Sequence, residues 1–263
     1  PGEEAKTINA VVGMVEAMER ASYGRDALVV ALGGGVVGDM AGFAAAIFKR
    51  GVPVVQIPTT PVSQADSSVG GKTGVDSSIS KNAFGAFWQP AAVYIDVSTL
   101  QTLDDRVYRA GLVESVKHAL ICDAAYFDYI EKNMQAIIER DTDVLEEMMY
   151  QNCRIKAAVV QEDPTEKNRR RILNYGHTIG HAAESASEYQ LLHGEAVAIG
   201  IRAAGRIEAK MGLHGGSSEK RIQDVLAGLG VPLEIPSDIS AHELLELLTH
   251  DKKSVGRRPR FVL

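Results

Sequence analysis

A short apolar run followed at once by three glycines constrains the fold most. The run, Ala27–Leu32, is typical of a strand buried on both faces of a sheet, and Gly33–Gly35 come directly after it. A helix is predicted over Asp39–Phe48, and further buried strands over Pro53–Pro58 and Ala92–Asp96. Because short loops join strand to helix to strand, the pattern indicates parallel βα units.

From about residue 100 the pattern changes to long amphipathic helices. With an early helix at Lys6–Ala21, the predicted helices are Val107–Leu120, Ala124–Arg140, Val144–Glu162, Ile179–Ala186, Gly194–Met211 and Ser240–Thr249. Gly212–Ser218 is predicted to be a loop. We therefore expect two domains, an α/β domain over residues 1–102 and an all-α domain over residues 103–263.

The composition narrows the class of protein. Of the 263 residues, 45% are hydrophobic and 24% charged, which argues against disorder, collagen and coiled coil. The net charge of -6 argues against a nucleic-acid partner, and no apolar run is long enough for a membrane span. Cys122 and Cys153 are too few for a disulfide framework and fit a reducing, cytoplasmic setting. Both ends read as interrupted patterns, so we expect further residues beyond them.

The glycine-rich turn has the residues of a phosphate site. Glycines let the backbone approach a phosphate closely, and a helix N-terminus supplies N–H donors. Leu32–Asp39 therefore predicts a pyrophosphate or nucleotide site, although tight packing of a helix on a sheet would need the same glycines. Pro58–Pro61, with two threonines, follows the next strand, at the edge where open α/β sheets bind ligands.

Basic residues suggest anion binding in three places. Gly70–Thr73 resembles the end of a P-loop, but the first glycine of that motif is absent at the required spacing, which excludes a Walker-type ATP site. The settings of Lys72 and Lys81 favour anion binding over simple solvation. The one dense basic run, Lys167–Arg171, is either a solvated face or a contact for an anionic substrate. Within it, Arg170 is predicted to face inward.

Histidines at helical spacing indicate a metal centre. His177 and His181 are four residues apart and so share one helix face, which suits a transition metal; the glutamate of a zincin peptidase is missing. His193 opens the next helix, and Glu114, on one face with Lys117, is a candidate third ligand. Two histidines and one glutamate leave a position open for substrate, although purely structural histidines are the alternative. The other four are expected to be surface or packing residues: His118, His214, His242 and His250.

These motifs, in this order along nearly the whole chain, resemble those of the 3-dehydroquinate synthase family. The matching blocks are Gly33–Asp39, Pro58–Thr60, Asp66–Gly74, Lys81-Asn82, Gly85–Phe87, Gln89-Pro90, Glu114 with Lys117, Asn174–His181, His193–Glu195 and Asp251–Lys253.

The resemblance implies both a fold and a reaction. The fold is an α/β nucleotide-binding domain with a parallel, Rossmann-like sheet, followed by an all-α metal-binding domain, usually in a homodimer. The reaction converts 3-deoxy-arabino-heptulosonate 7-phosphate to 3-dehydroquinate and phosphate, within the shikimate pathway. It proceeds by transient oxidation of the C5 alcohol by NAD+, phosphate elimination, reduction, and an aldol closure, and it requires Zn2+ or Co2+.

The resemblance also implies roles for individual residues. The metal ligands would be Glu114, His177 and His193, with His181 steering proton transfer. The substrate contacts would be Lys72, Lys156, Arg50, Arg170, Asn82 and Asn174, with Asp66 and Lys117 as polar active-site positions and Lys252 or Lys253 as a late lysine. The NAD contacts would be Glu3, Lys6, Gly35, Val36, Val37, Gly38, Asp39, Thr59, Thr60, Lys72, Lys81, Thr99 and Thr102.

Three other functions are compatible with parts of this pattern. A sister sugar-phosphate cyclase would share NAD, metal and fold but act on sedoheptulose 7-phosphate or glucose 6-phosphate. Retention of Asn174, His181 and Asp251–Lys253 favours the shikimate enzyme. A metal-dependent polyol dehydrogenase would release NADH rather than recycle it. A non-catalytic binding protein would show a broken ligand set, and none is broken here.

Overall fold

The computed structural model describes residues 2–188, 190–213, 216–250 and 261–263, except for the side chains of residues 216, 249 and 250. The chain divides into two compact units. Unit 1 contains Pro1–Thr102 and Lys156–Thr165, and unit 2 contains Leu103–Ile155 and Glu166–Leu263. The sequence-based division placed residues 156–165 in the helical domain, whereas they cluster with unit 1.

Unit 1 contains a parallel sheet and a separate hairpin. Its elements are α1 (Ile8–Arg20), β1 (Val29–Gly33), α2 (Gly35–Ile47), β2 (Val54–Pro58), β3 (Lys72–Val75), β4 (Phe84–Phe87) and β5 (Ala92–Val93). The sheet has the order β1-β2-β5 and all its pairs are parallel, as the sequence predicts. β3 and β4 form an antiparallel hairpin.

One face of the parallel sheet holds a core of unit 1. Ala31 of β1 and Val54 of β2 pack there with Ala45 and Phe48, close to α1. The opposite face differs from the prediction of a strand buried on both sides, because Leu28, Val30 and Leu32 are each more than half exposed. An unbroken apolar run cannot show whether both faces are covered. Ala31, which alternates with these residues along β1, faces the core that contains Ala45 of α2.

Helix α2 begins at Gly35 and not, as predicted, at Asp39. The glycines therefore lie inside the helix as well as before it. Glycine is needed there because the helix packs very close to its neighbours. A Cβ on Gly38 would lie 2.8 Å from Oε1 of Gln56, and one on Gly42 would lie 2.4 Å from Cγ2 of Thr73. Glycine-rich sequence is a poor helix signal, so the early start was missed.

Two other predictions for unit 1 need correction. The strand predicted over Ala92–Asp96 is limited to the two residues of β5. Gly70 and Gly71 favour a loop around Lys72 in the sequence, but Lys72 is the first residue of β3 and pairs with Phe87. Gly74 and Gly85 face each other in this hairpin, where each Cβ would meet the opposite backbone within 2.6 Å. Glycine is required by that close approach, although it suggests a loop in the sequence.

Unit 2 is helical throughout its described elements. They are α3 (Asp105–Gly111), α4 (Val113–Cys122), α5 (Ala124–Lys132), α6 (Met134–Ile138), α7 (Thr142–Glu162), α8 (His177–Ala186), α9 (His193–Lys210), α10 (Gly216–Gly228) and α11 (Ala241–His250). The last residues of α7 cluster with unit 1. A short 3₁₀ turn over Arg169–Asn174 precedes α8. Among the described residues, no helix has the length and apolarity needed to cross a membrane.

The helical domain was predicted correctly in class, but several bounds were wrong. The predicted helix Val107–Leu120 is two helices, α3 and α4, separated at Leu112, and this break places Glu114 in the first turn of α4. The predicted helix Ala124–Arg140 likewise divides at Asn133, whose side chain donates to the carbonyl of Tyr129. Helix α10 was not predicted, and it starts within the segment Gly212–Ser218 that was assigned to a loop.

Helices α8 and α9 approach each other closely because small residues line their contact. A Cβ on Gly200 would lie 1.8 Å from the carbonyl oxygen of Gly176, and one on Gly180 would lie 2.9 Å from that of Ala196. Gly176 itself has a φ of 75°, a conformation that favours glycine. The crossing brings the ring of His177 and the ring of His193 together, with their centroids 5.4 Å apart.

Gly200→Ala is expected to destabilise the fold by about 3 kcal/mol, since the added methyl group would force the α8–α9 backbones apart. The matched control is Gly205→Ala on the same helix, where a Cβ meets nothing within 4 Å. Alanine there should cost nothing and stabilise α9 by up to about 1 kcal/mol. Denaturant unfolding of both variants makes the comparison. Equal free energies of unfolding for the two variants would show that the α8–α9 crossing does not require glycine at residue 200.

Candidate functional site

In unit 2, a glutamate and two histidines converge from three helices. Oε1 of Glu114, on α4, lies 3.3 Å from Nε2 of His193, the first residue of α9, and 3.7 Å from Nε2 of His177, the first residue of α8. One donor atom from each residue lies within 4.8 Å of the other two. Glu114 is completely buried. This donor set of two imidazoles and one carboxylate suits Zn2+ and leaves a position for substrate.

The outer nitrogens of both imidazoles are already bonded. Nδ1 of His177 lies 3.1 Å from the carbonyl of Tyr175, and Nδ1 of His193 lies 3.3 Å from Oε2 of Glu184. In both rings these contacts leave Nε2 directed at Glu114. Ligating histidines in metalloproteins are held in this way, so these residues fit a divalent cation.

Charges around the cluster set the protonation of the histidines. Burial, with the Lys117 ammonium next in importance, holds the pKa of His177 well below its ordinary value. Burial also disfavours the charged form of His193, but hydrogen bonds and charges from Glu114 and Glu184 outweigh it and raise the His193 pKa to about 9. At pH 7 the imidazole of His177 is therefore neutral, as a metal ligand must be. A metal ion that binds His193 would have to displace a proton from its ring.

The other predicted residues of unit 2 lie on α4, α8 and the turn before α8. His181 is one turn beyond His177, with ring centroids 5.2 Å apart, and 5.9 Å from the ring of His193. Nζ of Lys117 contacts Oε2 of Glu114, and both side chains are buried. Nδ2 of Asn174 donates to Glu166 over 2.6 Å.

The dense basic run contributes one buried residue, as predicted. Arg170 is 1% exposed, whereas Arg169 and Arg171 are exposed. Of the four histidines given no role, His118 is buried with its ring bonded to Asn152, and His242 is 85% exposed. These are the predicted packing and surface positions. The remaining predictions, for His214, the side chain of His250, Lys252 and Lys253, lie outside the described residues.

The two residues after His193, Gly194 and Glu195, position the start of α9. Glu195 accepts from the backbone N–H of Leu192 and forms a two-armed ion pair with Arg106 of α3, at 2.7 and 2.8 Å. A Cβ on Gly194 would lie 1.8 Å from the carbonyl oxygen of Ala110 in α3. Gly194 and Glu195 therefore fasten the start of α9 to α3, and this fixes the backbone of His193.

In unit 1, the start of α2 has the form of an anion site. The helix is capped by Gly34, which has no side chain to satisfy the N–H groups of the first turn, Gly35–Val37. A Cβ on Gly34 would lie 3.1 Å from Thr60, and one on Gly35 would lie 3.2 Å from Oγ of Ser67. Glycines keep the backbone accessible, so the residues fit a bound pyrophosphate.

A charged cluster adjoins the first turns of α2. Nζ of Lys6 lies 2.7 Å from Asp39 and donates to Oδ1 of Asn82 over 2.8 Å, while Glu3 lies 3.6 Å from Lys6 and 3.9 Å from Lys81. Burial opposes the charge on Lys6, but Asp39 raises the pKa of its ammonium above the ordinary value. Burial also raises the pKa of the Asp39 carboxyl, against the effect of Lys6. The structure thus brings five predicted residues together.

Other predicted residues of unit 1 form smaller groups. Lys156 contacts both the carboxylate and the carbonyl of Asp66. Thr60 bonds with Ser63, and Thr99 accepts from Gln64. The backbone N–H of Thr59 donates to the carbonyl of Gly33, and the hydroxyl of Thr102 donates to the carbonyl of Thr99. Val36 packs against the core, whereas Val37 is exposed.

Two further predicted residues of unit 1 are exposed. Arg50 is exposed, with a φ of 69°, and makes no side-chain hydrogen bond or ion pair within the described part of the chain. Lys72 is exposed at the start of β3.

Sequence reasoning missed Glu184, the partner of His193. The signal was present, because His177, His181 and Glu184 follow the spacing i, i+4, i+7 and so share one face of α8. Gln64 was also missed: its amide donates to Pro58, Asp96 and Thr99 and ties the end of β2 to the segment after β5. A lone glutamine carries no comparable sequence signal.

Comparison with known proteins agrees with this geometry. Two family models match, the one described as 3-dehydroquinate synthase N-terminal over residues 1–110 and the one described as 3-dehydroquinate synthase C-terminal over residues 111–254. A 3-dehydroquinate synthase of Desulforamulus reducens is 46% identical over all 263 residues, which cover 73% of that protein. One of Citrifermentans bemidjiense is 47% identical over 253 residues, 95% of this chain and 68% of that protein.

Solved structures of related cyclases share the fold. A 2-deoxy-scyllo-inosose synthase complexed with carbaglucose-6-phosphate, NAD+ and Co2+ is 31% identical, with a TM-score of 0.90, over 97% of this chain and 69% of that one. The 2-epi-5-epi-valiolone synthase of Streptomyces hygroscopicus, with NAD+ and Zn2+ bound, is 32% identical, with a TM-score of 0.87, over 94% and 69%. The family models cover nearly the whole sequence, and the curated relatives exceed 40% identity. The chain belongs to the 3-dehydroquinate synthase family.

Proposed function

We propose that this chain converts 3-deoxy-arabino-heptulosonate 7-phosphate to 3-dehydroquinate and phosphate, with NAD+ and a divalent cation, Zn2+ or Co2+. The observation that carries the proposal is the convergence of Glu114, His177 and His193 within 4.8 Å, in a chain about 46% identical to curated synthases over its full length. The N-terminal domain, residues 1–102, would bind the nucleotide and the helical domain, residues 103–263, the metal and substrate.

The proposal assigns NAD+ to unit 1. The backbone N–H groups at the start of α2 would hold the pyrophosphate, and Asp39 with Lys6 would hold polar groups of the nucleotide. Thr59 and Thr60, at the carboxyl end of β2, lie at the sheet edge where such folds bind ligands. When bound, NAD+ supplies a reversible hydride acceptor. The protein's part is to bind and orient it.

The proposal assigns the cation to unit 2. Glu114, His177 and His193 would hold it, and when bound it polarises a substrate hydroxyl. Lys117 neutralises part of the charge of Glu114, and His181 is close enough to both histidine ligands to move a proton on a substrate atom held there. Arg170 and Asn174 would bind carboxylate, hydroxyl or phosphate oxygens, as would Lys72, Lys156, Arg50 and Asn82 of unit 1.

The proposal also includes the cellular location and the oligomeric state. We assign the chain to the cytoplasm, with support from Cys122 and Cys153, which form no disulfide. We also propose a homodimer, on the family resemblance. Light scattering on the purified protein tests it: twice the chain mass of 28.3 kDa is expected, and a single chain mass would contradict it.

A sister cyclase activity is the second candidate, because the structural likeness to 2-deoxy-scyllo-inosose synthase reaches a TM-score of 0.90. A substrate panel separates the candidates. Phosphate release is measured with 3-deoxy-arabino-heptulosonate 7-phosphate, sedoheptulose 7-phosphate and glucose 6-phosphate, each with NAD+ and Zn2+. We expect release from the first substrate alone. Faster release from either of the others would assign the chain to a sister activity.

A further inference from the structure

We propose that Glu184 is a positioning residue for the metal centre, which it serves by fixing the orientation and tautomer of His193. The inference rests on the proposed metal site and adds a residue to it. Glu184 would touch neither cation nor substrate. It would act only through the imidazole of His193.

The contacts of His193 place this ring between two carboxylates. Its Nδ1 lies 3.3 Å from Oε2 of Glu184, and its Nε2 lies 3.3 Å from Oε1 of Glu114. A carboxylate at Nδ1 accepts the proton there, so the lone pair remains on Nε2. Glu184 therefore selects the tautomer that a ligand at this position needs.

His193 depends on such a contact more than His177 does. The side chain of His177 is 10% exposed and packed at the start of α8, where the carbonyl of Tyr175 accepts from its ring. The side chain of His193 is 36% exposed, so packing alone restrains its ring less. The side chain of Glu184 is 9% exposed and is carried by the last turn of α8. A buried group on a rigid element thus holds a partly exposed one.

The close crossing of α8 and α9 makes this contact possible. Glu184 is seven residues after His177 and three after His181, so all three share one face of α8. Gly180 lies on the same helix and allows the backbone of Ala196 to approach within van der Waals contact. This approach brings the first turn of α9, with His193, within reach of Glu184.

Direct ligation by Glu184 is the alternative, since donor atoms of His181, Glu184 and His193 also lie within 4.8 Å of one another. The geometry favours the positioning role. Glu184 meets the Nδ1 side of His193, whereas Glu114 meets the Nε2 side, together with His177. A cation held by Glu114, His177 and His193 would therefore lie on the other side of the imidazole from Glu184.

The test is a Co2+ titration of the metal-free full-length chain, followed by visible absorption, for wild type, Glu184→Gln and Glu184→Leu. Glutamine still accepts the Nδ1 proton, so we expect its affinity for Co2+ to fall by about tenfold, and that of the leucine variant by up to about a hundredfold. Band positions at saturation should match the wild type, because the ligands are unchanged. The control is Glu208→Gln, a buried glutamate of α9 bonded to the hydroxyl of Tyr175, which should bind Co2+ as the wild type does.

Each outcome decides between defined alternatives. Wild-type affinity in both Glu184 variants would overturn the inference, and so would shifted bands at saturation, which would make Glu184 a ligand. An equal loss in Glu208→Gln would reduce the effect to general loosening of α8 and α9, and would also overturn it. If the leucine variant does not fold, the Co2+ affinity of the glutamine variant still tests the inference. Failure of the wild type itself to bind Co2+ would contradict the proposed metal site instead.

Discussion

Replacing His193 with alanine is expected to remove the bound divalent cation and to lower turnover by about a thousandfold or more. Its Nε2 is one of three donor atoms that lie within 4.8 Å of each other, and the change leaves only Glu114 and His177. A metal that polarises a reacting oxygen contributes several kcal/mol to the transition state. Since each 1.4 kcal/mol is a factor of ten, a loss near a thousandfold follows.

Metal content by elemental analysis and phosphate release measured on the same sample check this expectation. The matched control is His242→Ala on α11, because that imidazole is 85% exposed and lies 3.5 Å from the exposed carboxylate of Glu246. It should retain both metal and turnover. A His193→Ala protein with full metal occupancy would remove His193 from the ligand set.

Replacing Lys117 with methionine is expected to lower the free energy of unfolding of the metal-free protein by about 3–5 kcal/mol. The Lys117 ammonium contacts the carboxylate of Glu114, and both side chains are within 1% of full burial. Breaking a buried ion pair costs this much in proteins, and although His193 still lies 3.3 Å from Glu114, the carboxylate loses its closest cation. Added Zn2+ should recover part of the loss, because a bound cation supplies positive charge to the same carboxylate.

Denaturant unfolding with and without Zn2+ measures both effects. Lys220→Met is the control, since the ion pair of Lys220 with Asp224 is mostly exposed and its loss should leave stability unchanged. An unaltered unfolding midpoint for metal-free Lys117→Met would show that Glu114 does not need this ammonium. Loss of stability without recovery in Zn2+ would place the cation elsewhere.

The sequence predicted the classes of the two units better than their bounds. The run Pro53–Pro58, apolar except for Gln56, indicates a strand directly, because a buried parallel strand is mostly apolar. The run Ala27–Leu32 cannot show that Leu28, Val30 and Leu32 lie on an exposed face, since coverage depends on tertiary packing. The hairpin β3–β4 and the start of α2 were missed for one reason. Glycines there leave room for close neighbours, which are backbone atoms in the hairpin and side chains around α2, but in sequence they indicate loops.

The site was predictable where its residues lie close in sequence. The spacing of His177 and His181 predicts a shared helix face, and the rings lie 5.2 Å apart. No spacing rule joins Glu114 to His193, which are far apart in sequence. The residues alone made Glu114 only a candidate third ligand, the family resemblance then implied it, and the structure brings the two side chains within 3.3 Å. Glu184 follows the helical spacing of α8, but its partner on α9 is a tertiary contact that only the structure reveals.

The most direct test of the proposed reaction is the balance between phosphate and reduced nicotinamide. The full-length enzyme is given 3-deoxy-arabino-heptulosonate 7-phosphate and a trace of NAD+, with and without a metal chelator. We expect many phosphates released for each NAD+ present, no net NADH absorbance, and loss of release in the chelator. NADH that accumulates with substrate consumption would instead indicate a dehydrogenase, and full release in the chelator would contradict the assigned role of Glu114, His177 and His193.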